Sequence, residues 1–214
     1  MPLQNPIAVE IGEEQPIALP APCIVWPTMV LRQRFFKTDD PYESGDLNQF
    51  PDEDCYRERY RRGIGGVISR AFQDEVRIAQ HRIWILDEQI LRNEDSAKRL
   101  GELFFDTGAW DLRVITASRE GAKDRARWLK GLEADLQARI PTTRIRMYLD
   151  FNSKVEMPEI HDRFAIIDDV LWHCGATVGG MHNAINAMTF GWSAHTTNAV
   201  AFFEKLCVIL GEFP

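Results

Sequence analysis

The chain has 214 residues, of which 45% are hydrophobic, 10% aromatic and 27% charged, which is the make-up of a globular chain and excludes disorder throughout. Thirty-two acids against 25 bases leave a formal net charge of −7. That sign excludes coating nucleic acid by bulk electrostatics, so any phosphate must be met by a local basic site.

Eight of the eleven prolines fall in residues 2 to 51. Proline lacks an amide donor and resists helix and central strand, so residues 1–62 read as an irregular or extended N-terminal extension. Within it, Ile24-Val25-Trp26 and Met29-Val30-Leu31 suit edge strands, and Asp39-Asp40-Pro41 and Pro51-Asp52-Glu53-Asp54 suit exposed turns. Arg57, Arg59, Arg61 and Arg62 alternate with Tyr56 and Tyr60, a pattern that fits a single strand of nucleic acid or, more simply, a solvated linker balanced by the acids at 52–54. The first residues lack the basic and unbroken apolar regions of a signal peptide, and no stretch reaches the roughly 20 apolar residues that span a bilayer. Cys23, Cys55, Cys174 and Cys207 are too scattered for a zinc ribbon or a disulfide scaffold. The expectation is a cytoplasmic protein with reduced thiols and no membrane insertion.

Residues 63–214 carry the domain. Ile64, Ile68, Phe72, Val76 and Ala79 recur at helical spacing, and the apolar run Ile83-Trp84-Ile85-Leu86 follows as a buried strand. Gly63, Gly65 and Gly66 stand before that helix, with no preceding strand and no Walker lysine to make a nucleotide loop. Asn93 or Ser96 can cap a second helix bearing Leu100, Leu103 and Phe104, before a strand over Leu112–Thr116. A third helix carries Ala122, Ala126, Leu129, Leu132 and Leu136 and stops by Pro141, and Ile145, Met147 and Leu149 alternate in the next strand. Phe164–Asp168 and Val170–Ala176 are too close for a crossover helix, so they form an antiparallel hairpin turning at Asp168-Asp169. After a turn at Gly191-Trp192, Phe202, Phe203, Leu206, Ile209 and Leu210 mark a last helix. The pattern predicts an α/β domain: a mixed β-sheet covered by helices on both faces.

The chemistry concentrates in Ile160-His161-Asp162-Arg163, the apolar strand after it, Asp168, and Cys174-Gly175-Ala176-Thr177. On a strand, residues two apart share a face, so His161 and Arg163 would point at one spot. Imidazole serves as nucleophile or general acid and guanidinium binds phosphate through two parallel hydrogen bonds, a pairing suited to a phosphoryl group. The bland alternative is a surface histidine and an arginine ion-paired to Asp162 or Asp168. His173, Cys174, His182, His195 and Cys207 lack the tight spacing of a zinc site, so no metal is expected.

The spacing resembles the phospholipase D superfamily signature H-x-K-x4-D-x6-G-S-x-N, with His161, Arg163, Asp168 and Gly175 in register. The likeness covers roughly residues 64 to 210, and the order of elements is similar to one half of that fold. Three positions depart: Arg163 replaces lysine, and Ala176 and Val178 replace serine and asparagine. The resemblance implies a phosphodiesterase, with nucleic acid favoured over lipid as substrate, working through a phosphohistidine on His161 with no metal or cofactor. It implies His161, Arg163 and Asp168 as catalytic residues and Arg163, Gly175 and Thr177 as the phosphate-binding set. Since one motif is present where the family uses two per site, it implies a homodimer that joins two motifs. The lost serine and asparagine support a second expectation, a non-catalytic interaction module acting as a subunit of a larger assembly with other proteins.

Overall fold

The computed structural model describes residues 68–117, 122–149, 160–181 and 188–211. The expected N-terminal extension with its arginine-tyrosine cluster, the glycines at 63, 65 and 66, Ile64 and His182 lie outside the described residues. Six strands and four α-helices build an α/β fold around one mixed sheet. In chain order they are α1 (Arg70–Ile78), β1 (Arg82–Leu86), α2 (Glu94–Phe104), β2 (Asp111–Thr116), α3 (Ala122–Arg139), β3 (Arg144–Leu149), β4 (Arg163–Ile167), β5 (Val170–Cys174), β6 (Met188–Ser193) and α4 (Ala199–Ile209). A 3-10 turn, Val178–Gly180, stands between β5 and β6.

The sheet order is β3-β2-β1-β4-β5-β6. The first three strands are parallel, because helices carry the chain back to the same edge each time; β4 lies antiparallel to β1, and the β4–β5 hairpin turns at Asp168-Asp169 as the short connection requires. On one face Ile83, Ile85, Leu112, Val114, Ala165 and Trp172 pack with Phe72, Leu100 and Leu136 from α1, α2 and α3. On the other, Trp84, Leu86, Phe164, Ile166 and Leu171 pack with Phe203 and Leu206 of α4. The two-residue alternation of each strand thus supplies both cores, and helices cover both faces.

Local chemistry sets the ends. Asn93 caps α2, its side chain accepting from the Ser96 amide at 2.8 Å. The helix expected to run through Ile68 instead begins at Arg70. Ser69 is extended and its amide donates to the Gly179 carbonyl at 2.7 Å, which ties the helix entry to the 3-10 turn. The turn expected at Gly191-Trp192 is a strand. Leu171 pairs with Trp192 and Trp172 with Phe190, so Gly191 is the extra residue of a β-bulge, and its φ of 114° is one that glycine adopts without strain. No helix among the described residues is long and apolar enough to cross a membrane.

Candidate functional site

The carboxyl ends of the parallel strands and the start of antiparallel β4 meet at one edge of the sheet. In open α/β sheets this is the edge where ligands bind. Directly after β1 come Asp87 and Glu88, both buried, and β4 opposite them begins with Arg163. The Arg163 guanidinium donates to Glu88 Oε1 at 3.2 Å, and its Nε lies 3.6 Å from Asp87 Oδ1. That side chain is only 19% exposed.

Asp87 is the hub. Its Oδ2 accepts from the Val178 amide at 2.7 Å and its Oδ1 from the Gln89 amide at 2.7 Å, so one carboxylate joins the end of β1 to the 3-10 turn. Burial pushes its pKa up to about 6. The two amides and the Arg163 charge pull it down, while Glu88 adds to the rise. At neutral pH the cluster holds two carboxylates against one guanidinium, an arrangement that disfavours an added phosphate.

The expectation that His161 and Arg163 share a strand needs correction, since β4 starts at Arg163 and His161 precedes it in irregular, exposed chain. They nevertheless converge. His161 Nδ1 lies 3.6 Å from the same Glu88 Oε1, so the shared spot is an internal carboxylate. Asp162 faces His173 at 3.7 Å and is not the partner of Arg163.

Asp168 does not join this group. It sits at the opposite end of β4, at φ 50°, where its carboxylate accepts from the backbone amides of Gln80, His81 and Arg82, the shortest at 2.7 Å. Its observed work is to fasten the α1–β1 connection to the hairpin turn. Gly175 is exposed in the bend after Cys174, whose strand partner is Arg163, and so lies beside the cluster. Thr177 is 2% exposed, and its Oγ1 makes no hydrogen bond among the described residues. Its hydroxyl is therefore buried rather than presented at the surface. Ala176 and Val178 are buried, Val178 completely, in contact with the core; serine and asparagine there would need buried partners.

The sequence reading passed over Asp87 and Glu88. Their signal was two acids immediately after an apolar strand, at the end where such sheets place their sites. Cys174 and Cys207 are buried free thiols, and burial raises Cys174 to about 12, so it stays protonated and unreactive. Among the described residues no group of three or more His, Cys, Asp or Glu could hold a metal ion.

No family model matches the chain, and neither does any curated protein. Among solved structures it is similar to TrmBL2, an archaeal chromatin protein whose structure shows a novel mode of DNA binding. The TM-score is 0.35 at 11% identity, over 64% of this chain and 45% of that one, a score too low to fix fold or function.

Proposed function

We propose that the chain is a catalytically degenerate phospholipase D-like module, serving in the cytoplasm as a protein-binding subunit of a larger assembly. One observation carries this reading: the cation expected to hold phosphate is engaged by Glu88 at 3.2 Å and lies 3.6 Å from the buried carboxylate of Asp87. A phosphodiester at Arg163 would have to displace those contacts and then face both acids. Breaking a buried pair in that way costs about 3–5 kcal/mol, more than the net 1.5–3 kcal/mol or so of a charged hydrogen bond returns.

The phosphodiesterase reading has one observation in its favour. Glu88 lies near His161 Nδ1, and a carboxylate at one ring nitrogen is how proteins orient an imidazole for proton transfer or attack. That reading also needs a homodimer supplying a second motif, with nucleic acid as the favoured phosphodiester. Hydrolysis of bis(4-nitrophenyl) phosphate in the presence of chelator separates the two. The degenerate module gives no turnover above buffer, with or without Arg163→Lys; turnover that disappears in His161→Asn would establish the enzyme instead.

A further inference from the structure

The opposite edge of the sheet, where the parallel strands begin, has a different character. Four large hydrophobic side chains stand out as exposed among the described residues, and three of them emerge here: Ile78 at 63%, Phe105 at 50% and Trp110 at 53%. They lie on connections fastened to one another. Thr107 Oγ1 donates to the Val76 carbonyl at 2.9 Å, Thr143 Oγ1 to the Ala109 carbonyl at 3.0 Å, and the Arg144 amide to the Trp110 carbonyl at 2.7 Å. The end of α1, the α2–β2 connection and the α3–β3 connection therefore make one surface.

Arginines cap its aromatic rings. The Arg139 guanidinium lies 5.4 Å from the Phe105 ring centroid and that of Arg144 lies 5.7 Å from Trp110. Arg146, exposed one rung further along edge strand β3, meets no carboxylate among the described residues. Arg139 is paired with Asp135, but both are half exposed, and pairs of that kind exchange partners at little cost. Arg144 is hydrogen-bonded to buried Asp111 at 3.0 Å, but Asp111 also answers Arg113, so this group of two guanidiniums and one carboxylate keeps a net positive charge. Aromatic and arginine side chains together are the composition of interface centres, and loners on a surface are not.

The same chain contains a segment of the opposite character. Residues 39–54, outside the described residues, hold Asp39, Asp40, Glu43, Asp46, Asp52, Glu53 and Asp54 with no lysine or arginine, so this stretch carries the equivalent of the whole chain's net charge of −7. Tyr42, Leu47 and Phe50 are interspersed with the acids and supply apolar groups for a surface built of Ile78, Phe105 and Trp110. Thirteen residues, 55–67, join the segment to Ile68; extended, they reach roughly 40 Å, more than the radius of a domain of this size. A tether of that length holds its end at an effective concentration on the order of millimolar, so individually weak contacts suffice.

We propose that residues 39–54 dock in cis on the surface formed by Ile78, Phe105, Trp110, Arg139 and Arg144, acids against the guanidiniums and aromatic side chains against the rings. The site lies at the far end of the strands from the Asp87–Arg163 cluster, so it stands or falls independently of the motif pocket's activity.

The test uses the full chain carrying Cys23→Ser, Cys55→Ser and Ser44→Cys with a nitroxide on the new thiol; Cys174 and Cys207 are buried and escape labelling. Docking in cis broadens the amide signals of residues 105–110 and 140–144 severalfold relative to the reduced label. The effect fades in about 0.5 M salt, where the Debye length falls to a few ångströms. Trp110→Ala or Phe105→Ala abolishes it with an unchanged thermal midpoint, both side chains being exposed. Mixing labelled chain with isotope-enriched unlabelled chain leaves the signals sharp. Broadening in that mixture would assign the surface to a second copy, and broadening confined to residues 55–67 would show the acids paired with Arg57–Arg62. Either result, or no broadening at residues 105–110, overturns the proposal.

Discussion

Two buried aspartates mark the two ends of the sheet, and their pKa values move in opposite directions because burial prevails at one and the neighbouring cations at the other. Asp111, at the start of β2, is buried, which works to raise its pKa, but hydrogen bonds from Arg144 and Arg113 at 3.0–3.3 Å and the two guanidinium charges hold it below the ordinary value. The Trp84 indole donates a further bond at 3.2 Å. Asp87, after β1, has two amides and one guanidinium shared with Glu88, and there burial wins. A cation answering two buried acids has little left for a ligand, whereas an acid answered by two cations is a structural pin.

Removing the shared cation breaks that comparison hardest. Arg163→Ala leaves Asp87 and Glu88 buried without a counter-charge, and we expect a loss of about 3–5 kcal/mol at pH 7 in denaturant unfolding. The loss should shrink in acid as Asp87 takes up a proton.

The pH dependence comes next in size. Asp87 is titrated near 6 when folded and near 3.8 when unfolded, so between those values the native state binds the extra proton. Its contribution to stability therefore falls as pH rises through that window, by roughly 3 kcal/mol, and is flat above about pH 7. Asp111 acts oppositely: its folded value is depressed, so its contribution is present above 3.8 and is lost as pH falls through the folded value. Unfolding followed from pH 3 to 8 should show stability greatest near pH 4 as far as these two groups govern it, and Asp87→Asn should flatten the alkaline side.

Asp111→Asn keeps the shape but removes the charge between Arg113 and Arg144; we expect a cost of about 2 kcal/mol in the same assay, with Trp84 emission changed because its indole loses a charged acceptor. The smallest effect belongs to Asp168→Ala. Its three amide bonds lie where water can replace the carboxylate in part, so about 1 kcal/mol is lost, with faster amide exchange at Gln80, His81 and Arg82 as the local signature.

Much of the fold was legible because it rests on short-range pattern. The apolar runs at 83–86 and 164–167 are strands, the helical spacing of Leu129, Leu132 and Leu136 is a helix, and the two-residue gap at Asp168-Asp169 is a hairpin. Gly191 misled because glycine marks a turn and a bulge equally well, and only the register across β5 separates them. The site was harder to read for a related reason. Asp162 and Asp168 are near Arg163 in sequence, yet the hydrogen-bonded acid is Glu88, 75 positions away, and nothing local announces a pairing that the β1–β4 ladder creates. His161 and Arg163 both approach Glu88 Oε1, but not by sharing a strand face as expected, since β4 begins only at Arg163.

A double-mutant cycle between Arg163 and Glu88, read by unfolding free energy and by inorganic phosphate titration, tests the account at its centre. If Arg163 serves the buried acids, Arg163→Ala is costly alone, Arg163→Ala with Glu88→Gln recovers about 1–3 kcal/mol of that cost, and phosphate stabilises neither the parent nor the variants. Additive costs within about 0.5 kcal/mol, together with phosphate stabilisation of the parent that vanishes in Arg163→Ala, would show an arginine held for a ligand and contradict it.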